Sequence, residues 1–345
     1  MTEQPQFSPA GAEEPALLPP TDLRKASKTF SRLGLGLLLF IGVPSVLQFL
    51  LQAGISILRP EITEEPWYLW ALSLLPLYLL GFPLLLILFL TVPAEPPEKK
   101  SMPLYRWLGV FAVSVFVMYV GNIVGTVITS FFAFFKGGEV SNAIAEILES
   151  ANLLWTVPAV VIVAPVMEEL ICRKLLIDRT RRYGELTAAF FSATAFGMIH
   201  GNFSQFFYAF GLGFVFAFVY LKTGRVIYTM LLHATVNFFG GVIGPLVLQN
   251  VDSDALFSGD MQRVMEYLAN GGLKDVVPLL LEAGFMIAMA TVGLVLLIVF
   301  RKSIRVAPAI EPLPRGKAFT TAYCNVGVIL FILFCLVLFV LSLFT

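Results

Sequence analysis

The chain has 345 residues, of which 58% are hydrophobic and 13% charged, and a mean hydropathy of +0.85. An ordinary soluble domain carries about 25% charged residues, so this composition excludes a disordered chain and a conventional cytosolic enzyme. Lys plus Arg and Asp plus Glu each number 23, leaving no bulk charge to recruit nucleic acid, and the three cysteines (Cys172, Cys324, Cys335) are too few and too scattered for a disulfide framework or a Cys-based metal centre.

About 20 apolar residues are needed to cross roughly 30 Å of hydrocarbon. Residues 1–33 contain Pro, Glu and Ser and end in a basic cluster; they lack the pattern of a cleaved signal peptide and read as a disordered cytoplasmic tail. Three N-terminal spans follow within 34–135, at 34–57, 67–92 and 107–135. A core over 150–249 holds four more, at 153–175, 186–201, 203–221 and 226–249. Residues 250–275 read as an extracytoplasmic loop, and 276–345 carries two last spans at 276–300 and 324–344. With the N-terminus inside, 19 of the 23 Lys and Arg fall on cytoplasmic segments, and only Arg59, Lys136, Arg263 and Lys274 fall outside. That bias is the one expected of cytoplasmic loops. The reading is an all-α, polytopic transmembrane helical bundle of about nine spans, multi-pass in the cell membrane, with a cytoplasmic N-terminus.

Segments 138–150 and 260–270 alternate apolar and polar residues with helical period, as a helix on the interface or a solvated loop helix would. Asn202-Phe203-Ser204 matches a glycosylation acceptor but lies in a short turn near the bilayer, so it is read as chance. Gly34-x-Gly36 and Gly211-x-Gly213 sit inside spans without the strand-turn-helix context of a nucleotide site; close helix packing explains them, as it does Gly213-x-x-x-Ala217 and Gly240-x-x-x-Gly244. No internal repeat of the inverted-transporter kind is apparent.

Ionisable side chains within spans cost about 2.5–3.5 kcal/mol each on insertion scales and mark functional suspects. The fourth span contains Glu168, Glu169 and Arg173; the fifth, Phe196 and His200; the seventh, His233 and Asn237. Residues 168–200 read as an antiparallel helical hairpin turning at Tyr183-Gly184, and Glu168 and His200 lie 16 residues either side of Gly184. Equal rise along both arms puts the two side chains at one height, on the order of 10 Å below the inner surface at 1.5 Å per residue. His233, eight residues after Arg225, reaches the same level. Positions i and i+4 share a helix face whereas i and i+1 diverge by about 100°. Glu169 and Arg173 therefore pair, while Glu168 turns toward the hairpin partner and stays available. A carboxylate, two imidazoles and an amide at one depth suit water activation and stabilisation of an oxyanion. The alternative is a buried polar network that only fixes helix packing.

These residues resemble the signature of the CAAX prenyl protease and bacteriocin-processing (CPBP) intramembrane endopeptidases: Glu-Glu-x-x-x-Arg, Phe-x-x-x-His and His-x-x-x-Asn/Asp. The matching residues are Glu168, Glu169 and Arg173, then Phe196 and His200, then His233 and Asn237. The resemblance covers about 150–245 and implies peptide-bond hydrolysis within or beside the bilayer. It implies Glu168 as general base aided by His200, His233 and Asn237 as oxyanion hole, and Glu169, Arg173 and Phe196 in support. The implied partners are the lipid bilayer and a membrane-associated peptide or lipidated protein substrate, with no nucleic acid, nucleotide or required cofactor.

Three other chemistries compete. Glu168, His200 and His233 could supply three ligands to Zn²⁺, although no H-E-x-x-H occurs. Cys172, four residues after Glu168, could act as a thiol nucleophile, but Arg173 points away from it. Intramembrane Glu and His also serve proton-coupled transporters, and a scaffold or immunity factor could retain such a core.

Overall fold

The structure is a computed structural model that describes residues 21–136, 152–256, 258–303 and 305–344. Among the described residues it is built from helices and connecting turns, without strands. Seven helices are long and apolar enough to cross a membrane: α1 (Leu23–Leu58), α2 (Tyr68–Phe89), α3 (Leu104–Lys136), α4 (Leu153–Tyr183), α6 (Phe203–Thr223), α7 (Val226–Leu248) and α8 (Met261–Phe300). The two other expected spans are helical but shorter: α5 (Glu185–Met198) has 14 residues and α9 (Val326–Leu341) has 16. The expected nine apolar segments are thus all helical, and seven of them have spanning length.

Two expected boundaries need correction. The proposed disordered tail is helical from Leu23 onward, because Asp22 caps that helix by accepting from Arg24 N and Lys25 N. Ala26, Phe30, Leu33 and Leu37 then recur at spacings of three and four and are all buried, a stripe that the intervening charges hide in the sequence. The earlier part of that tail, and the amphipathic segment at 138–150, lie outside the described residues. Residues 250–275 are largely helical, since Met261–Tyr267, capped by Asp260, forms the first turns of α8 and leads into its long part, Leu273–Phe300, across a break at Asn270-Gly271.

One half of the bundle packs α1 against α2 and α9, with α5 closing the layer; its core includes Phe30, Phe40, Phe89, Phe191, Phe196, Phe331 and Phe339. The other half packs α3 against α6 and α8 around Phe111, Val115, Phe216 and Leu232. Helices α4 and α7 stand between these halves. The α1–α9 crossing depends on glycine: a Cβ on Gly327 would stand 1.9 Å from Ser31 O, and one on Gly34 would stand 2.5 Å from Val328 N. Gly213 likewise packs on Ala193 and Phe196. Gly240 does not: a Cβ there would meet nothing within 4 Å, and Gly244 meets only Phe239 of its own helix, so the expected Gly240-x-x-x-Gly244 contact is absent among the described residues.

π-helical turns interrupt α2, α4 and α7. Those at Val157–Val163 and Leu170–Leu175 bracket Glu168-Glu169, and another at Phe239–Ile243 follows Asn237. Such turns add a residue to the helical repeat and re-aim the side chains beyond them.

Candidate active site

The α4–α5 hairpin turns at Gly184, whose φ of +127° lies where an L side chain is strained. Its arms are tied by polar contacts of their own. On the α5 arm, Ser192, Phe196 and His200 fall at i, i+4 and i+8, and so form one stripe facing α4 and α7. Ser192 Oγ donates to Cys172 O at 2.7 Å and accepts from Arg173 Nη1 at 3.3 Å.

Arg173 and Glu169 are both fully buried. Arg173 Nε lies 2.9 Å from Glu169 Oε2, close as charges but not aligned as a hydrogen bond. The guanidinium lies over the rings of Phe196 (4.6 Å to centroid) and Phe216 (5.6 Å), so two aromatic faces replace water around the cation. Glu169 also binds α7: its Oε1 is 3.2 Å from His233 Nδ1. A carboxylate paired with arginine can only accept, so Nδ1 of His233 carries the proton and Nε2 faces away from Glu169. Nε2 stands 3.9 Å from Oε2 of Glu168, beyond direct hydrogen-bond reach. His233 therefore sits between two carboxylates, hydrogen-bonded to one and facing the other.

His200 follows the same pattern. Its Nδ1 is 2.7 Å from Phe196 O, which can only accept, so Nδ1 is the donor and Nε2 is left for other partners. The Phe196 ring is the shared spacer, with edge-on contacts to His200 (5.1 Å between centroids) and to His233 (5.4 Å). Exposure divides the two acidic side chains: Glu168 is 19% accessible and Glu169 is sealed at 0%.

Asn237 differs from the expectation of four groups at one depth. It lies one turn farther along α7 and donates from Nδ2 to Val160 O at 2.8 Å. That carbonyl needs an outside donor for a local reason. In the π turn, Ala164 N–H goes to Ala159 O, and the next donor in that register would be residue 165, a proline without an N–H. Asn237 thus supplies from α7 the hydrogen bond that Pro165 removes from α4.

The structure brings together Glu168, Glu169, Arg173, Phe196, His200 and His233, and sets Asn237 one turn outward on the backbone of the helix carrying Glu168. The sequence reading missed Ser192, Phe216 and Tyr208. Ser192 was signalled by its place four residues before Phe196; Phe216 and Tyr208, whose rings approach His233 (5.8 Å) and His200 (6.5 Å), had no local signal. Asn202 of the apparent glycosylation triplet caps α6, accepting from Gln205 N and from Ser204 Oγ.

Among the described residues, no three His, Cys, Asp or Glu side chains are arranged to hold a metal ion. His233 Nδ1 is bound to Glu169, which leaves Nε2, 3.9 Å from Glu168 Oε2, as the nitrogen that faces the open carboxylate. Cys172 is completely buried, with no path for a substrate to its thiol.

A family model described as type II CAAX prenyl endopeptidase Rce1-like matches residues 150–239, which include every residue of this cluster. The similarity to that family is confined to this segment. It is also 27% identical over 158 residues to a Bacillus subtilis (strain 168) protein named "Putative membrane peptidase YdiL". That match covers 45% of this chain and 64% of the relative, so the chain spans under two thirds of the relative's length. No solved structure matches the chain. The matched segment corresponds to α4–α7, and helices α1–α3, α8 and α9 lie outside it.

Proposed function

We propose that this protein is an intramembrane endopeptidase of the cell membrane that uses Glu168 to activate water against a peptide bond of a membrane-associated peptide or lipidated protein. The observation that carries this reading is the division between adjacent carboxylates. Glu169 is buried, paired with Arg173 and hydrogen-bonded to His233, whereas Glu168 is partly open and is approached only at 3.9 Å by the free nitrogen of His233. A base must reach its water, and a structural counter-ion must not.

In the proposed reaction Glu168 takes a proton from water, and the water oxygen attacks the scissile carbonyl carbon. The resulting oxyanion is stabilised from α7 and collapses as the C–N bond breaks, the leaving nitrogen receiving the proton held by Glu168. His233 can donate to the oxyanion only through Nε2, and only with its ring doubly protonated, because Nδ1–H is committed to Glu169. Asn237 has one amide N–H on Val160 O and a second for the oxyanion. His200 assists at the water through Nε2. The reaction takes place from the cytoplasmic side, with the N-terminus inside, and uses no metal.

The test is a comparison of protein termini in membranes from cells carrying the wild type or Glu168→Gln. New N-termini dependent on the wild type, mapping to membrane-associated segments, are expected. Identical terminomes with both proteins equally abundant would refute the activity.

A further inference from the structure

Away from these residues, a cavity of about 460 Å³ opens between the start of α1 and the short helix Ala318–Tyr323 that precedes α9. Arg24, Ser27 and Lys28 line it from one wall, and Lys317, Thr320 and Thr321 from the other. Three cations face it and no carboxylate does. None of the three is in an ion pair among the described residues. The nearest acidic residue in sequence, Asp22, already accepts from Arg24 N and Lys25 N as the helix cap.

The deciding group is Thr321. It is only 6% exposed, its hydroxyl has no hydrogen-bond partner among the described residues, and it lines this cavity. What remains accessible of this side chain opens on the cavity, so its hydroxyl is available to a group seated there. Thr320 is different, since its hydroxyl donates to Lys317 O at 3.1 Å. The walls are also fixed in place. One turn deeper, Gly327 N donates to Ser31 Oγ at 3.0 Å, and the Gly34–Gly327 approach locks α1 against α9.

We propose that this cavity binds a phosphate group, carried either by an anionic phospholipid headgroup or by free phosphate. Three cations more than neutralise a phosphate monoester, which carries about −1.5 to −2, and hydroxyls on both walls complement its oxygens. The position fits a headgroup: the apolar run of α1 begins six to ten residues after Lys28 and Arg24, which puts the cavity roughly 10–15 Å from the hydrocarbon. This site is independent of the peptidase reading.

The test uses the full chain in phosphatidylcholine vesicles, with and without a minor fraction of phosphatidate, and with inorganic phosphate as competitor. Wild type is expected to retain phosphatidate or to bind inorganic phosphate. Competition by inorganic phosphate identifies the free ion as a ligand, and retention without competition identifies the lipid headgroup. Lys28→Gln with Lys317→Gln should weaken binding by roughly tenfold, the size expected for lost charge-assisted hydrogen bonds. The charge-matched pair Lys99→Gln with Lys302→Gln should leave it unchanged. Thr321→Val, which keeps the shape, should weaken it several-fold. The proposal is overturned if neither probe binds, or if both lysine pairs act alike. It is also overturned if Thr321→Val binds as wild type, because the cations would then form a diffuse basic surface.

Discussion

The Asn237–Val160 bond yields a quantitative expectation that needs no substrate. Asn237→Ala leaves Val160 O without a donor inside a membrane-spanning helix, where water is not there to replace it. An unpaired buried group costs about 1–3 kcal/mol, and at about 2 kcal/mol the folding equilibrium constant falls roughly thirtyfold. The structure predicts that this penalty depends on Pro165. Pro165→Ala restores an N–H at the position next in line for Val160 O, and relaxation to an α-helical register would supply Ala164 N–H instead; either donor satisfies the carbonyl. In that background Asn237→Ala should cost under about 0.5 kcal/mol, giving a coupling of about 1.5 kcal/mol between residues on different helices. Equilibrium unfolding in mixed micelles of the wild type, both single variants and the double variant measures it. Additive losses would refute the argument that proline-removed and asparagine-supplied hydrogen bonds are one device.

Glu169→Ala should destabilise the fold by about 3–5 kcal/mol, the range for breaking a buried ion pair from one side, because it strands Arg173 between two phenyl rings; wild-type yield and melting temperature would contradict that. Gly327→Ala should separate α1 from α9 and cost about 1–3 kcal/mol in thermal unfolding, since the added methyl would meet Ser31 backbone. Exhaustive chelation should leave cleavage by the purified protein unchanged. A loss restored by zinc would replace the proposed carboxylate-activated water with metal chemistry.

What the sequence revealed and what it hid have separable causes. Charged and imidazole side chains are so costly in a hydrocarbon environment that Glu168, Glu169, Arg173, His200 and His233 stand out singly, and the Gly184 turn fixes which of them share a level. The Glu169–Arg173 pair followed from i,i+4 spacing because that contact is local and survives the π turn at Leu170–Leu175. Contacts between helices were less legible. That His233 sits between the two carboxylates depends on how α7 is rotated against α4, which periodicity does not encode. The π turns themselves arise from packing, although prolines at 158 and 165 marked α4 as unable to keep a regular ladder. The start of α1 was hidden because lysines and arginines flank a buried stripe. Small-residue spacing misled at Gly240-x-x-x-Gly244, where the pattern exists but no neighbour approaches.

The central claim is that two adjacent glutamates have opposite duties, and Glu168→Gln tests it most directly. In a reconstituted assay on a substrate found by terminal mapping, the amide should lower cleavage on the order of 10²–10⁴-fold, the usual contribution of a general base. The unfolding free energy should stay within about 0.5 kcal/mol of wild type, because the side chain is partly open and makes no short hydrogen bond. A Glu168→Gln protein that cleaves at the wild-type rate, or that loses activity only because it unfolds, would contradict the account.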